Sequence, residues 1–308
     1  MDAAGGIVEL DGVTKTFGSH VAVRDLTLHI PRGCVYGFIG PNGAGKTTTI
    51  RMILNLQAPD RGTVRVLGAP PGPAVTDRIG YLPEERGLYR KMRVRELVLY
   101  FGRLKGRPLA ELAPRADAWL ERLQLREWRN KRAEELSKGM QQKVQFIATV
   151  IHEPELVILD EPFSGLDPVN AEVLTGIIQE LRRSGRTVIF STHVMEQAER
   201  LCDRVFMIAR GRKVLDGTLA DIRRQFGEDT VDLIGEGDPS PLRGLPGVRE
   251  VREEGGRFEI DLEAGASAQG VLEALVPRFQ IRSFAVRAPT LHQIFIRLAG
   301  EAGEGRAA

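Results

Sequence analysis

The sequence predicts an α/β protein with a mainly parallel central sheet, followed by a smaller α+β domain. Short, continuous apolar runs at residues 35–40, 156–159 and 188–190 are typical of strands buried on both faces of a parallel sheet. Amphipathic stretches with helical spacing lie between these runs, as an α/β fold requires. After about Gly217 the composition changes, and alternating apolar residues replace the continuous runs.

The bulk composition limits the function classes that fit. The chain has 308 residues, enough for one large domain or two modest ones, with 43 basic and 41 acidic residues. This near balance gives no electrostatic footprint for nucleic acid, which we do not expect as a partner. No apolar run approaches the roughly 18 residues that a membrane span requires. Cys34 and Cys202 form no C-x-x-C pair, and we expect both to be buried.

The first apolar run leads into a phosphate-binding sequence. Residues 40–47 fit G-x-x-x-x-G-K-[ST], with one more threonine at Thr48, an apolar strand before the motif and an amphipathic helix after it. Glycines let backbone N–H groups surround phosphate, and the helix adds its positive N-terminal end. Lys46 is expected to reach the β and γ phosphates, and the Thr47 hydroxyl to ligate Mg²⁺. The candidate nucleotide-binding residues here are Gly40, Pro41, Asn42, Gly43, Ala44, Gly45, Lys46, Thr47 and Thr48.

A helical pattern occupies about residues 90–152. One apolar stripe is made by Val94, Leu97, Val98 and Phe101, and another by Val144, Ile147, Ala148 and Ile151. The sequence therefore predicts a mainly helical subdomain inserted between two sheet-forming halves.

Two later apolar runs end in polar residues. The run 156–159 is followed by Asp160 and Glu161, which a buried strand would place beside the phosphate loop. Asp160 can hold Mg²⁺, and Glu161 can orient and deprotonate an attacking water. The run 188–190 ends, after Ser and Thr, in His193, which can donate a hydrogen bond to the γ-phosphate.

The last third predicts a small α+β domain over residues 218–300. Residues 235–246 are rich in Gly, Pro and Ser and are predicted to be loop. The Gly255-Gly256 pair suits a hairpin turn before an alternating strand at 258–262, and 281–286 can form another strand. A closing helix is predicted over 291–298, capped by Thr290, with residues 301–308 as a flexible tail.

The segment Leu136-Ser-Lys-Gly-Met-Gln-Gln-Lys-Val144 completes an ordered set of motifs. Together with the phosphate loop, Tyr81-Leu-Pro-Glu84, the acidic pair, Ser164-Gly-Leu-Asp-Pro168 and His193, it resembles the ATP-binding cassette (ABC) ATPases. The resemblance covers residues 7–217 and implies a P-loop NTPase cassette domain over 1–217. It also implies ATP and Mg²⁺ as ligands and ATP hydrolysis as the activity.

The resemblance assigns further roles. Phe17 is similar to the aromatic residue that stacks on adenine, although a plain core phenylalanine is the alternative. Glu84 takes the position of the Q-loop glutamine, a position that senses Mg²⁺ and faces the transmembrane partner. Ser137 and Gly139 match the signature motif, which acts on nucleotide held by the other subunit, and Asp167 matches the D-loop at the dimer interface. A homodimer with two composite sites is implied.

The chain departs from the family pattern in the Q-loop and the signature. Glu84 replaces glutamine, which adds negative charge, and Lys138 and Met140 replace glycine and glutamine. Lys138 can add a cationic contact or point to solvent, and we favour solvent. These variants, with the C-terminal domain, are similar to the subgroup of ATPases that work with type-2 exporter permeases for sodium, antibiotics or cell-envelope material.

The favoured interpretation is therefore the ATPase subunit of an exporter, peripheral at the cytoplasmic face of the membrane and bound to a separate permease. A soluble ABC ATPase acting on ribosomes or DNA is the first alternative. It is disfavoured because each motif occurs once, and because the segment between Lys46 and Ser137 is too short for a long coiled coil. A nucleotide-gated module without turnover is disfavoured because Glu161 and His193 fill both catalytic positions.

Overall fold

The computed structural model describes residues 5–85, 87–226, 230–237, 240–263, 266–277 and 279–304. The chain forms two compact units, Met1–Asp216 and Gly217–Ala308, called here the first and the second unit. Among the described residues, no helix has both the length and the apolar character of a membrane span.

Nine strands and seven helices are described in the first unit. The strands are β1 Val8–Phe17, β2 His20–Ile30, β3 Val35–Ile39, β4 Arg61–Val66, β5 Ile79–Leu82, β6 Leu156–Asp160, β7 Thr187–Thr192, β8 Arg204–Ala209 and β9 Arg212–Thr218. The helices are α1 Lys46–Ile53, α2 Pro73–Thr76, α3 Val94–Leu104, α4 Leu109–Arg122, α5 Lys138–Val150, α6 Pro168–Arg183 and α7 Met195–Leu201.

The strands of the first unit form two sheets. Six of them lie in the order β5-β6-β7-β3-β8-β9, with β5 to β8 joined by parallel pairing, and β2-β1-β4 form an antiparallel sheet. Every residue of β3, β6 and β7 is buried, which explains their continuous apolar runs. The predicted α/β class with a mainly parallel sheet is confirmed. Because these strands are adjacent and parallel, their carboxyl ends meet at one edge of the sheet.

The predicted helical segment is also present. Helices α3, α4 and α5 pack against one another between β5 and β6 in the sequence. The two apolar stripes of this segment are largely buried. The side chains with no exposed surface are Val94, Leu97, Val98, Val144 and Ile147.

The two cysteines behave as small apolar residues, as expected. Both are buried, and burial raises the pKa of Cys34 to about 11 and that of Cys202 well above its usual range. Cys202 Sγ lies where a side chain on Gly37 would stand, 2.6 Å from the position of an added Cβ. Strand β3 can therefore accept only glycine at residue 37 without a shift of its neighbours.

The second unit is an antiparallel sheet with helices. Its elements are α8 Leu219–Phe226, β10 Thr230–Gly237, β11 Val248–Glu254, β12 Arg257–Leu262, α9 Ala268–Leu275, β13 Phe279–Arg287 and α10 Leu291–Glu304. The sheet order is β11-β12-β10-β13. One face of this sheet and helix α9 form a separate core of Val231, Leu233, Phe258, Ile260, Val271 and Leu275.

Two boundary predictions in the second unit are wrong, and one turn is confirmed. Residues 235–237 belong to β10 rather than to a loop, because Gly235 pairs with Ile281 of β13. Helix α10 continues to Glu304, so 301–304 are helical, while 305–308 lie outside the described residues. Gly255 and Gly256 form the predicted two-residue turn between β11 and β12, with φ of 57° and 80°.

Candidate nucleotide-binding site

The phosphate loop connects β3 to α1 and depends on two close backbone approaches. A Cβ at Gly40 would lie 2.2 Å from the carbonyl oxygen of Ile208. A Cβ at Gly45, where φ is 113°, would lie 2.6 Å from the carbonyl oxygen of Ala22. Neither position admits a side chain, since real Cβ atoms do not approach that closely. The crest of the loop, residues 41–43, is exposed.

Lys46, the first residue of α1, is buried and turned toward its own loop. Its Nζ donates to the carbonyl oxygens of Gly40 at 2.6 Å and Pro41 at 3.1 Å. Burial lowers the pKa of Lys46, and the negative charges of Glu161, Asp160 and Glu84 oppose that shift. These three carboxylates, predicted separately from the sequence, thus all act electrostatically on one cation. Thr47 and Thr48 follow on α1 and are half-buried.

Asp160 is the last residue of β6, and one of its two carboxylate oxygens has no hydrogen-bond partner. It is only 2% exposed, and its Oδ1 accepts a hydrogen bond from the hydroxyl of Ser191. Its Oδ2 is buried and has no hydrogen-bond partner. An unpartnered carboxylate oxygen fits Mg²⁺, which prefers oxygen ligands and usually keeps several waters. No three His, Cys, Asp or Glu side chains of the described residues could hold a metal by themselves. That Asp160 and Thr47 hold Mg²⁺ together with phosphate oxygens and water stays a prediction.

Glu161 is held in an unusual backbone conformation. Its φ is 49°, in the left-handed region that residues with side chains seldom adopt, and its N–H donates to Ser191 Oγ at 3.0 Å. Its Oε1 lies 2.9 Å from Nδ1 of His193. Glu161 is 11% exposed and His193 53% exposed, so the pair runs from the interior to the surface. Such strain persists only where the surrounding structure holds it in place, commonly at functional sites.

Glu84 completes the group of acids. It follows β5 by two residues, is exposed, and lines a cavity of about 50 Å³ together with Asp160 and Glu161. The other residues that line this cavity are Leu82, Pro83, Gln142, Gln145 and Ser164. The structure thus brings together Glu84, Asp160 and Glu161, with His193 in contact through Glu161.

Two residues at this site were missed by sequence reasoning. Ser191 is fully buried and contacts both acids of the pair 160–161. Gln142, on α5, donates from Nε2 to the carbonyl oxygen of Pro162, and its Oε1 is buried without a partner. The signal for Ser191 was a hydroxyl directly after the apolar run 188–190, two residues before His193. The signal for Gln142 was a polar residue on the buried face of its helix.

Of the remaining predicted residues, Phe17, Ser137 and Asp167 are exposed, and Gly139 is half-buried. Phe17 ends β1 and is 46% exposed, so the alternative of a core phenylalanine is wrong. The Nζ atom of Lys15 lies 5.7 Å from the centroid of the Phe17 ring. In the part of the chain that the structure describes, Phe17 does not line the cavity shared by the three acids.

Ser137 and Asp167 cap two neighbouring helices. Ser137 accepts a hydrogen bond from the N–H of Met140 at 3.3 Å at the start of α5, and Lys138 beside it is exposed, as expected. Asp167 accepts from the N–H of Asn170 at 2.9 Å at the start of α6, and this bond lowers the pKa of its carboxyl. The nearest atom to a Cβ added at Gly139 is Nδ2 of Asn170, at 3.8 Å. The two helix N-termini therefore lie side by side.

A glycine-rich loop before a helix, a strand ending in two acids beside it, and a histidine after the next strand define a P-loop nucleoside triphosphatase. Residues 23–164 match the family model described as ABC transporter, and residues 217–299 match the C-terminal domain of ATP-binding protein DrrA1-3-like. The chain belongs to the ATP-binding proteins of ABC transporters, and its activity is ATP hydrolysis.

Relatives resemble the chain over nearly its whole length. An uncharacterized ABC transporter ATP-binding protein, YhaQ of Bacillus subtilis, is 43% identical over 96% of this chain and 99% of its own. The Nod factor export ATP-binding protein I of Paraburkholderia xenovorans is 36% identical over 95% of this chain and 97% of its own.

Solved structures share the fold of the cassette. One described as the ATP binding subunit of an ABC transporter has a TM-score of 0.67 at 35% identity, covering 72% of this chain and 93% of that chain. CbiO1 from Clostridium perfringens, described as part of the ABC transporter complex cbiONQ, has a TM-score of 0.62 at 24% identity, covering 72% and 94%. The second likeness is one of fold alone.

Proposed function

We propose that two copies of this chain close on ATP and that hydrolysis drives a separate transmembrane permease, in the direction of export. The protein would then sit at the cytoplasmic face of the membrane as a peripheral subunit. The observation that carries the proposal is the exposed N-terminus of α5, which Ser137 caps. Among the described residues, Ser137, Lys138 and Gly139 do not line the cavity shared by the three acids. Export is supported by the relatives named for Nod factor export.

Within one chain, the residues divide the chemistry of hydrolysis. The phosphate loop and Lys46 would bind the β and γ phosphates, and the exposed ring of Phe17 would stack on adenine. Mg²⁺, when bound at Asp160 and Thr47, would neutralise phosphate charge. Glu161 would accept the proton of the attacking water. His193, which is exposed beside Glu161, would donate its N–H to the γ-phosphate in place of Glu161, and Glu84 would add a carboxylate near the same water.

The other side of the nucleotide would be closed by a second copy. A helix N-terminus attracts anions through its free N–H groups and its dipole. In this chain the start of α5 is exposed at Ser137 and half-buried at Gly139, and Asp167 stands beside it at the start of α6. Head-to-tail pairing would bring these residues to the γ-phosphate held by the partner's phosphate loop, which gives two composite sites.

The dimer is tested by a substitution at Ser137. Ser137→Arg is combined with Glu161→Gln, so that ATP is retained rather than hydrolysed. Size-exclusion chromatography with ATP should show a dimer for Glu161→Gln alone and a monomer for the double variant. ATP affinity, measured at protein concentrations where neither dimerises, should be equal. An ATP-dependent dimer of the double variant would contradict the model. So would loss of ATP binding by the monomer, because Ser137 would then serve its own site.

A groove in the first unit supports docking of the permease. It has a volume of about 600 Å³ and includes Pro83 and Gly87, on either side of Glu84, together with Phe101 of α3. Beside it, Tyr89 and Tyr100 are 51% and 37% exposed, and their ring centroids lie 5.5 Å apart. Large exposed aromatic side chains next to a groove are typical of protein interfaces. The groove would thus link the permease to the acids of the site through the segment that carries Glu84.

The docking is tested by copurification from detergent-solubilised membranes. The wild-type protein should recover a polytopic membrane protein, and the double variant Tyr89→Asp, Tyr100→Asp should lose it while binding ATP normally. Leu109→Asp is a matched control, because Leu109 is 50% exposed at the start of α4 and outside the groove. Equal recovery by the double variant and the control would refute this docking surface. Recovery only of ribosomes or DNA would favour the soluble alternative.

A further inference from the structure

Ser191 occupies a position that connects both acids of the candidate site. Strands β6 and β7 pair in parallel with Asp160 opposite Ser191. The Ser191 side chain is fully buried. Its Oγ is 3.0 Å from the backbone nitrogen of Glu161, and it also bonds Oδ1 of Asp160.

The direction of these two hydrogen bonds follows from their chemistry. The N–H of Glu161 can only donate, so the oxygen of Ser191 is the acceptor. A serine hydroxyl has a single proton, and a carboxylate oxygen can only accept, so that proton goes to Asp160. One oxygen of Asp160 is thereby occupied, and the other, Oδ2, is left buried without a partner.

The same hydroxyl supports the backbone of Glu161. A φ of 49° is unfavourable for a residue with a side chain and requires interactions that hold it. The bond from the Glu161 N–H to Ser191 is one such interaction. It fixes the peptide from which the Glu161 side chain extends to His193, at 2.9 Å.

We propose that Ser191 is a positioning residue for both acids. It turns Asp160 so that Oδ2 faces the metal position, and it holds Glu161 in the conformation from which its carboxylate reaches His193. The inference rests on the proposed roles of Asp160 toward Mg²⁺ and of Glu161 toward water. It adds a residue that touches neither ligand and acts through two that do.

The same strand offers a matched control. Thr187, at the opposite end of β7, is also fully buried, and its Oγ1 accepts a hydrogen bond from the N–H of Gly33 at 2.9 Å. Thr187→Ala and Ser191→Ala each remove a buried hydroxyl from β7 and leave a backbone N–H without its partner. Only Ser191 has a partner at the candidate site.

The experiment measures metal affinity apart from turnover. Mn²⁺ is titrated into the full-length protein with a non-hydrolysable ATP analogue, and free Mn²⁺ is followed by electron paramagnetic resonance. Ser191→Ala should weaken Mn²⁺ binding by about 10- to 100-fold, the usual effect of losing a group that orients a metal ligand. Affinity for the analogue in EDTA should stay within about twofold. Thr187→Ala should match the wild type in Mn²⁺ affinity, and Ser191→Thr should restore most of it.

The outcomes separate this inference from the proposed function. Wild-type Mn²⁺ affinity in folded Ser191→Ala overturns the role of Ser191, provided that Asp160→Asn weakens binding. If Asp160→Asn also binds Mn²⁺ normally, the metal role of Asp160 itself is wrong, and the inference falls with it. Should Ser191→Ala fail to fold, Ser191→Cys keeps nearly the same volume with weaker hydrogen bonding. Its Mn²⁺ affinity must then fall between those of Asp160→Asn and the wild type, and a wild-type value overturns the proposal.

Discussion

Lys46 is a buried cation on which all three acids of the candidate site act electrostatically. Lys46→Ala should weaken ATP binding by roughly 10- to 100-fold or more, because it removes a charged hydrogen-bond donor to phosphate. Equilibrium binding of a fluorescent ATP analogue measures this. Lys105→Ala is a suitable control, since burial lowers the pKa of Lys105 too and its Nζ bonds the carbonyl oxygen of Thr76 at 2.6 Å. Unchanged affinity in folded Lys46→Ala would exclude the phosphate loop as the site.

A substitution at Glu161 should lower the rate of ATP hydrolysis without abolishing ATP binding. Glu161→Gln keeps the shape of the side chain but cannot accept a proton, so we expect ATP binding to persist and the hydrolysis rate to fall by about 10²- to 10⁴-fold. Steady-state phosphate release measures the rate. Turnover within about twofold of the wild type would place the general base elsewhere, with Glu84 as the next candidate because it lines the same cavity.

His152 should make stability depend on pH. It is 3% exposed, and burial, with help from Lys105 and Arg107, lowers its pKa from 6.5 to about 4. Between these values the unfolded chain binds a proton that the folded chain does not. Stability is therefore fully present above about pH 6.5 and is lost as the pH falls toward 4, by about 2 kcal/mol at pH 5.

The measurement for His152 compares urea unfolding at pH 7.5 and pH 5. The variant His152→Gln retains a donor for the carbonyl oxygen of Ile79, which His152 Nε2 approaches at 3.2 Å, but does not titrate. It should lose less stability than the wild type between the two pH values. Equal losses would show that His152 is not the group responsible.

Residue identities at the site were predictable where a local pattern carries the chemistry. Asp160 and Glu161 directly follow an apolar run, and Lys46 belongs to a phosphate-loop motif that begins where another apolar run ends. The ends of adjacent parallel strands meet. The role of Ser191 was not predictable, because it arises from pairing between residues 31 positions apart. A register shift by one residue would have pointed the hydroxyl to the other face of the sheet.

Among the elements, continuous apolar runs and strict alternation of apolar residues were the sequence patterns that predicted strands correctly. Strands β3, β6 and β7 appear where apolar runs predict them, since strands covered on both faces need no polar side. The prediction failed where composition was used alone. Gly235 lies in a strand because its backbone pairs with β13 so closely that a Cβ would stand 2.5 Å from the carbonyl oxygen of Gln280. Helix α10 passes the predicted boundary, where alanine and glutamate favour helix.

The hairpin of β11 and β12 gives a prediction for one element. At Gly255 an added Cβ would meet nothing within 4 Å, so only the left-handed backbone resists a side chain. Gly255→Val should destabilise the second unit by about 1–2 kcal/mol, whereas Gly255→Asn, which tolerates this conformation, should be nearly neutral. Denaturant midpoints measure both. Equal midpoints for the two variants would mean that the turn relaxes to another conformation.

At the scale of the whole molecule, the proposed ligand contacts are confined to one of the two units. All residues proposed to contact ATP or Mg²⁺ lie in the first unit, so a chain ending at Thr218 should still bind ATP with an affinity within a few-fold of the full-length value. Fluorescence titration with an ATP analogue measures it, after circular dichroism has established that the shortened chain is folded. Loss of binding by a folded shortened chain would assign the second unit a part in the site.

The strand order of the six-stranded sheet also determines how late in synthesis the sheet can be completed. Strand β3 lies between β7 and β8, and Gly33, just before it, bonds Thr187, which is 154 positions later in the chain. At about 5–20 residues per second, a ribosome needs roughly 8 to 30 s to supply those neighbours. During that time the emerged chain contains the complete phosphate loop but not the sheet that shapes it. Strand β3 therefore remains unpaired at both edges until β7 and β8 have been synthesised. The nascent chain becomes able to bind nucleotide only after two thirds of the protein has been made.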